Sequence, residues 1–380
     1  MKLIFICGSI EPGRDGVGDY TRNLACEISR QGHHSEVLAL YDQYVTEVSH
    51  EKQYNNDREI SVFRIPSLLP ENDRFKKAQE YIIHYNPDWI SLQYVPYGFH
   101  PKGLPFFLGK RLRSISSEKP IHIMYHEGWI GTRGITDWKG NIISTLQKSL
   151  IKKMIKTLSP AIIHTHLPTY YTQLQKLGFE ITKLPLFSNF SKIKVNGPEP
   201  SKREFKVGFF SQIGISENIV GFLKILKEHV AASEMQLEIL CIGGNESHTK
   251  AAGALLEKNC SLQHKVEYTG FLEPEEVSSA IQSCSLGLTP IPRHGLGKSS
   301  SLISFIAHGV PVAAPNIHKD HNPAEIGFFS ANLISSIVTE PTLRSIELAK
   351  AAAIKAAGND ISIKSVSMKF LSDLDRAQPT

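Results

Sequence analysis

The chain lacks an apolar run long enough to cross a bilayer. No stretch of its 380 residues approaches the roughly 20 apolar residues that a helical span requires. Its start carries one lysine and then only the short run Leu3–Cys7 before Gly8. That run is too brief for the core of a secretory signal and has no small-residue cleavage site, so it reads as a first core strand of a cytoplasmic protein. Cysteine is scarce: Cys7, Cys26, Cys241, Cys260 and Cys284 form no CxxC pair and no metal-ligand spacing, and their number is odd. A disulfide framework is excluded, and free thiols in a reducing compartment are expected. An excess of one charge is missing too. With 42 Lys and Arg against 37 Asp and Glu, the net charge is +5, far from the footprint of a nucleic-acid binder but compatible with a phosphate-bearing small molecule. No metal-binding acidic triplet is evident, so neither a metal nor another cofactor is expected.

What is present suits two ordinary domains. Apolar residues make up 41% and charged residues 21%, enough for a core in each half. The first half alternates short apolar runs with helical spacing. Strands are expected at Leu3–Cys7, Glu36–Tyr41, Ser61–Ile65, Trp89–Tyr94 and Ile121–His126, and helices at Val17–Gln31, Arg74–Tyr85 and Thr145–Leu158. Asn189 to Glu204 breaks the rhythm with Gly197, Pro198 and Pro200 and reads as a linker. The alternation then restarts, with strands expected at Lys206–Phe210, Leu237–Ile242, Val266–Thr269, Leu286–Pro290 and Val310–Ala314. The expected architecture is therefore α/β, with two Rossmann-like doubly wound parallel-sheet domains facing across a cleft. They are placed at 1–190 and 205–360, with a helix in 361–380 packing back on the first. Ligands of open α/β sheets bind at the carboxyl ends of the strands.

Two glycine-rich turns stand at such ends. Gly13-Arg14-Asp15-Gly16-Val17-Gly18-Asp19-Tyr20 follows the first strand. Gly16 and Gly18 would let an anion approach a helix N-terminus, although a plain strand–helix turn fits as well and GxGxxG is not met. His294-Gly295-Leu296-Gly297-Lys298-Ser299-Ser300-Ser301 opens an apolar helix that leads to Gly309-Val310-Pro311-Val312. Amides at Gly295 and Gly297, hydroxyls at Ser299 and Ser300 and the charge of Lys298 form a set suited to a diphosphate, and a serine-rich cap is the plainer alternative. A Walker A loop is excluded, because the glycine it needs five positions before Gly297 is Pro292.

These turns, with Tyr268-Thr269-Gly270-Phe271-Leu272 and the His-containing strand end, resemble the large family of retaining GT-B glycosyltransferases over nearly the whole chain. The segment Gly295 to Pro315 carries the likeness best. The resemblance implies a nucleotide donor lying mainly on the second domain, with Gly270, Phe271 and Leu272 bordering the base and the Lys298 loop on the phosphates. It also implies a histidine near the donor sugar, which is His126 in Met124-Tyr125-His126-Glu127-Gly128-Trp129. A structural histidine fits too, and Glu127 either orients it or pairs at the surface. The chain departs from the family in three places. Leu296 and Ser304 stand where two glutamates eight positions apart are usual, and Ser211-Gln212 replaces the usual Gly-Arg, with no lysine following. Lys298 is expected to supply the lost cation.

Gln93, Tyr94, Tyr97 and His100 end the preceding strand and are assigned to the acceptor side, where loop packing is the alternative. Lys148, Lys152, Lys153 and Lys156 line one helix. That row fits docking on an anionic membrane, and it equally fits an ordinary solvated face. The expected activity is transfer of a sugar from a nucleoside-diphosphate sugar to a glycan, a lipid-linked glycan or a small metabolite. Other GT-B chemistry, such as epimerisation or pseudo-glycosyl transfer, and non-catalytic binding of a nucleotide sugar are the alternatives.

Overall fold

The structure is a computed structural model that describes residues 1–55, 58–131, 137–190, 192–193, 203–262, 265–316 and 329–377. The chain divides into two compact units, Met1–Leu184 with Ser367–Thr380, and Pro185–Val366. The expected linker at 189–204 falls largely outside the described residues.

The first unit runs β1 (Lys2–Cys7), α1 (Gly16–Arg30), β2 (His34–Asp42), β3 (Ser49–Asn55), β4 (Arg58–Pro66), α2 (Glu71–Tyr85), β5 (Trp89–Tyr94), α3 (Pro96–Phe99), α4 (Leu108–Ile115), β6 (Ile121–Tyr125), α5 (Trp138–Leu158), β7 (Ile162–Thr165), α6 (Pro168–Lys176) and β8 (Thr182–Lys183). Its strands form one sheet in the order β3-β4-β2-β1-β5-β6-β7-β8. Helix ends follow local chemistry. The Asp137 carboxylate accepts from the Gly140 amide at 2.7 Å to start α5, and α5 stops at Ser159, whose φ of 45° is left-handed, one residue before Pro160.

Several elements were not expected from the sequence, and two strands among them are instructive. Strand β3 was not expected, and it pairs antiparallel with β4, so the sheet is parallel except at that edge. Its sequence, SHEKQYN, is polar because an edge strand needs no apolar alternation and gains from charge. Strand β7 (IIHT) is only four residues long and carries a histidine, too little for a periodic signal.

The second unit runs β9 (Glu204–Phe210), α7 (Glu217–Ala232), β10 (Gln236–Ile242), α8 (Glu246–Cys260), β11 (Val266–Tyr268), α9 (Pro274–Gln282), β12 (Leu286–Leu288), a 3-10 turn (Arg293–Lys298), α10 (Ser300–Ala307), β13 (Val312–Ala313), α11 (Ala331–Ser335), β14 (Ile337–Val338) and α12 (Leu343–Asn359). Its sheet, β11-β10-β9-β12-β13-β14, is parallel at every described pairing. Close packing inside this unit depends on glycine. A Cβ on Gly208 of β9 would lie 2.5 Å from Cys284 Sγ and 2.9 Å from the Phe305 ring.

The last helix, α13 (Ile363–Arg376), covers the first unit's sheet. Buried Phe370 lies 6.0 Å from the Phe5 ring and 5.0 Å from the His122 ring. Asp373 accepts from His164 Nε2 at 3.1 Å and Lys369 Nζ at 2.7 Å, and its other oxygen accepts from Arg376 at 2.8 Å. Burial alone raises the Asp373 carboxyl, but the hydrogen bonds from His164 and Lys369 outweigh it and hold its pKa at about 2. Such a carboxylate contributes stability that is present above its unfolded pKa and is lost as pH falls through the folded one. Asp373→Asn is therefore expected to cost about 2 kcal/mol of unfolding free energy near pH 7 and almost nothing near pH 2. Denaturant titrations at the two pH values check this, and equal losses at both would assign the contact to packing instead of charge.

Candidate functional site

In the first unit, strand order reverses at β1, with β2 on one side and β5 on the other. Such a switch point is where open sheets usually bind ligands, but here the backbone fills it. A Cβ on Gly8, just after β1, would lie 2.1 Å from the Gly98 carbonyl oxygen in α3. The start of α1 is likewise occupied. Asp15 caps the helix, accepting from the Val17 and Gly18 amides at 2.9 and 2.8 Å. Burial raises its carboxyl against the pull of those two hydrogen bonds. An anion already sits on the amides that a phosphate would need. Gly16 and Gly18, expected on the donor side, stand at a turn whose Val17 and Gly18 amides are bonded to Asp15. Gly16 is simply the exposed first residue of the helix. Gly18 is buried for packing, its absent Cβ facing Ser9 O at 2.7 Å and Ile10 Cα at 2.9 Å.

His126 follows β6 and is half-buried. Its Nε2 lies 2.9 Å from Gln93 Oε1 and its Nδ1 lies 3.3 Å from His166 Nε2. The Tyr20 ring stands edge-on 4.9 Å from His126 and 5.4 Å from His166. Glu127, next in sequence, is half-buried. The expected acceptor-side residues differ in exposure. Alternation along β5 sends Gln93 and Tyr94 to opposite faces. Tyr94 is 1% exposed and stacks in the core with Phe99 and Tyr125, with burial pushing its phenol pKa upward. Gln93, also 1% exposed, binds Ser91 and His126. Tyr97 is exposed and packs on Gly103. His100 lines a separate cavity of ≈ 360 Å³ with Tyr41, Arg74, Phe99, Phe106 and Phe107. Its Nδ1 accepts from the Lys102 and Leu104 amides, and burial, then Lys102, lowers its pKa. Phe106 and Phe107 escaped the sequence reading, although an adjacent aromatic pair after Pro105 was a signal for an exposed apolar loop.

In the second unit, order reverses at β9, flanked by β10 and β12. The turns beyond β9, β10 and β11 carry left-handed residues: Ser211 (φ 66°), Gly243 (64°), Gly244 (86°) and Gly270 (68°). Asn316 ties the edge together, accepting from Ser216 Oγ at 2.6 Å and donating to the Pro290 carbonyl at 2.7 Å. Gln212 is exposed there, Phe271 is 82% exposed, and Leu272 packs partly on the core.

The Lys298 segment is not an open loop. Residues Arg293–Lys298 form a 3-10 turn in which the Gly295 amide is spent on the Pro292 carbonyl at 2.8 Å and Gly295 and Gly297 are buried. Ser299 is 2% exposed and its Oγ caps α10, accepting from the Leu302 amide at 3.1 Å. Ser304 is fully buried and accepts from Ser188 Oγ. Of the residues expected at the donor, Gly295 and Ser299 thus bond within the segment, and Ser304 bonds to Ser188. Ser300 is exposed and Lys298 half-buried. The sequence reading missed Arg293, which opens the same turn. Its Nε donates to the Ala314 carbonyl at 3.4 Å, and burial lowers its pKa. A partly dehydrated guanidinium at a switch point gains strongly from an arriving anion.

No family model matches the chain, and no curated protein matches it in sequence. Among solved structures it is similar to sucrose-phosphate synthase from Thermosynechococcus elongatus (14% identity, 99% of this chain and 98% of that one, TM-score 0.61). It is similar to HepE from Anabaena, solved with UDP and glucose (12%, 99% and 100%, 0.61). It is also similar to a Listeria monocytogenes protein assigned as a UDP-N-acetylglucosamine 2-epimerase (10%, 98% and 95%, 0.56). The fold is that of the GT-B glycosyltransferases, with two Rossmann-like units. No described helix is long and apolar enough to cross a membrane.

The contacts at Gly18 are with backbone atoms, which cannot swing aside. Gly18→Ala is expected to destabilise the protein by roughly 1–3 kcal/mol, whereas Gly16→Ala, with open space around it, should be near neutral. Thermal melts of the two variants, with equal effects counting against the packing role, check this.

Proposed function

We propose that the chain transfers a sugar from a nucleoside-diphosphate sugar to a glycan, lipid-linked or small-metabolite acceptor, with retention and without a metal. The observation that carries this reading is the 3-10 turn beyond β12. It brings two cationic residues, Arg293 and Lys298, to the carboxyl edge of the second unit's sheet. Fixed cations placed where charge collects on a leaving diphosphate lower the barrier without reorganising. The exposed ring of Phe271 offers a face to the base. The second unit is thus read as the donor domain and the first as the acceptor domain, with His126 near the sugar and the aromatic cavity around His100 suited to the acceptor. The likeness in fold to a protein solved with UDP and glucose supports the donor class.

A second reading has one observation in its favour. Leu296 and Ser304, at the positions where the family resemblance implies glutamates, are both fully buried, so the usual carboxylate contacts to the donor are missing. Epimerisation of a nucleotide sugar or a pseudo-glycosyl transfer would tolerate that loss. Mass spectrometry of products from a nucleotide-sugar panel separates these chemistries, and any turnover excludes a purely binding role.

The first test is thermal stabilisation by nucleoside diphosphates. A ligand at about 100 times its Kd adds roughly 2.7 kcal/mol. One nucleotide is expected to stabilise the wild type, with the gain reduced in Arg293→Ala and in Lys298→Ala. Stabilisation by none would sink the donor reading, and unchanged gains in both variants would move the phosphates elsewhere.

Peripheral membrane contact is proposed from α5. Ile151, Met154, Ile155 and Leu158 bury one face, while Lys148, Lys152, Lys153 and Lys156 are exposed, together with Trp138, Ile142 and Leu146. Co-flotation with anionic liposomes is expected, and glutamate at the four lysines should abolish it. Absence of flotation by the wild type would end the proposal.

A further inference from the structure

The cavity beside His100 lies at the carboxyl edge of the first unit's sheet. There the ends of β2 and β4 meet the start of α2 and the segment that leads into α4. Its ≈ 360 Å³ stand at the small end of the range for ligand sites, roughly 300–1,000 Å³, with room for a monosaccharide. Part of the wall is aromatic. Phe106 and Phe107 line it while being 51% and 60% exposed, and such flat apolar faces suit the C–H side of a sugar ring. The polar lining consists of Ser67, Glu71, Arg74 and His100.

Arg74 is the unbalanced charge of this lining. It is half-buried, and its guanidinium stands 4.7 Å from the centre of the Tyr41 ring. Its Nε donates to the Leu69 carbonyl at 3.1 Å and its Nη1 to the Leu40 carbonyl at 3.3 Å. These bonds fix the planar fork and leave it N–H groups to spare. Among the described residues no carboxylate forms an ion pair with it. Glu71, the acid of the lining, pairs instead with Arg111, which lies outside the lining, at 3.4 Å. Burial lowers the Arg74 pKa more than the nearby Glu71 charge restores it, yet an arginine stays charged. A half-buried cation without a counter-ion gains from an anion that arrives in the cavity.

The other two polar groups are neutral. His100 Nδ1 accepts from the Lys102 and Leu104 amides at 3.2 and 3.3 Å, which puts its own N–H on Nε2 as a donor. Burial, then Lys102, lowers its pKa. Lys102 itself is exposed and outside the lining. The Ser67 hydroxyl both donates and accepts. The charge of the ligand follows from this inventory. A phosphate monoester carries roughly −1.5 to −2 at neutral pH and would bring surplus negative charge beside Glu71. A carboxylate carries a single charge, and its two oxygens match the guanidinium fork.

We infer that this cavity binds a sugar acid, a uronate whose carboxylate sits on Arg74 and whose ring packs on Phe106 and Phe107. Ser67 and His100 Nε2–H then serve the ring hydroxyls. That the uronate is the acceptor of the transfer rests on the transferase reading, whereas its binding here does not.

The test is calorimetry and NMR on the full chain with no nucleotide present. The probes are glucuronate and galacturonate, their neutral parents glucose and galactose, glucose 6-phosphate, and acetate. At least one uronate is expected to bind about tenfold more tightly than its neutral parent, the worth of a charge-assisted bond to arginine. It should also bind more tightly than glucose 6-phosphate, which has the wrong charge, and than acetate, which has no ring. Arg74→Gln should bring the uronate down to the level of the neutral sugar and leave the neutral sugar unchanged. Replacing the exposed Phe106 and Phe107 together by alanine should weaken both. In 15N-arginine-labelled wild type, the Arg74 side-chain signals should move with the uronate and stay in place with the neutral sugar. That measurement decides alone if Arg74→Gln does not fold. Equal binding of acid and neutral sugar, tighter binding of glucose 6-phosphate or acetate, or unmoved Arg74 signals overturn the inference. Nucleotide binding without uronate binding would sink this inference alone, and uronate binding without any nucleotide binding would sink the transferase reading alone.

Discussion

Parallel strand pairing is the constraint from which most of this molecule follows. A parallel neighbour cannot be reached by a tight turn, so the chain must cross over one face of the sheet before re-entering it. Every crossover leaves from the same edge, and the carboxyl ends of all parallel strands in a unit collect there. In the second unit this brings Ser211, Gly243, Gly270 and Arg293, far apart in sequence, to one edge. In the first unit the same geometry produces a different outcome. The switch point is closed by Gly8 against Gly98, and the polar groups shift two strands along, to the ends of β6 and β7.

The two faces of the first sheet are chemically unlike. One face is apolar, with Ile90, Leu92, Tyr94, Ile123 and Tyr125 in a continuous core with α2, α4 and α5. The other holds Ser91, Gln93, His122 and His164 beneath α13, each buried and each hydrogen-bonded. Buried polar groups cost free energy unless paired, so this face accepts a cover only where the cover supplies an acceptor. Asp373 supplies it, while Phe370 fills the apolar space against Phe5 and the imidazoles. Asp373 and Phe370 therefore hold the last helix in place over this polar face.

Much of the fold was legible in the sequence, because buried parallel strands are short apolar runs and the helices between them keep their period. Trp89–Tyr94 is recovered to the residue; the helices expected at Val17–Gln31 and Thr145–Leu158 start earlier, where Asp15 and Asp137 cap them, and the first ends one residue sooner, at Arg30. The polar edge strand β3 and the short β7 were not legible, since neither carries an apolar alternation. The site was less legible than the fold. Glycine and serine signal small size and hydrogen-bonding capacity, but not whether that capacity is already used. Asp15 consumes the amides at α1, and Ser299 caps its own helix. Arg293 was missed because its role comes from strand order, not from a neighbouring motif. The buried histidines of the first unit were missed with β7, because without that strand His164 and His166 have no assigned face.

The discontinuous make-up of the first unit bears on the order in which the protein can be built at the ribosome. Domains ordinarily fold as units as they emerge, the N-terminal one first. Here the strands β1 to β8 emerge early, yet their polar face stays uncovered until Ser367 and the residues after it arrive, after the whole of the second unit has been made. In that interval Phe5, His122 and His164 lack the packing and the carboxylate that complete them. The first unit is thus complete only once its last helix has been made, after the whole of the second unit.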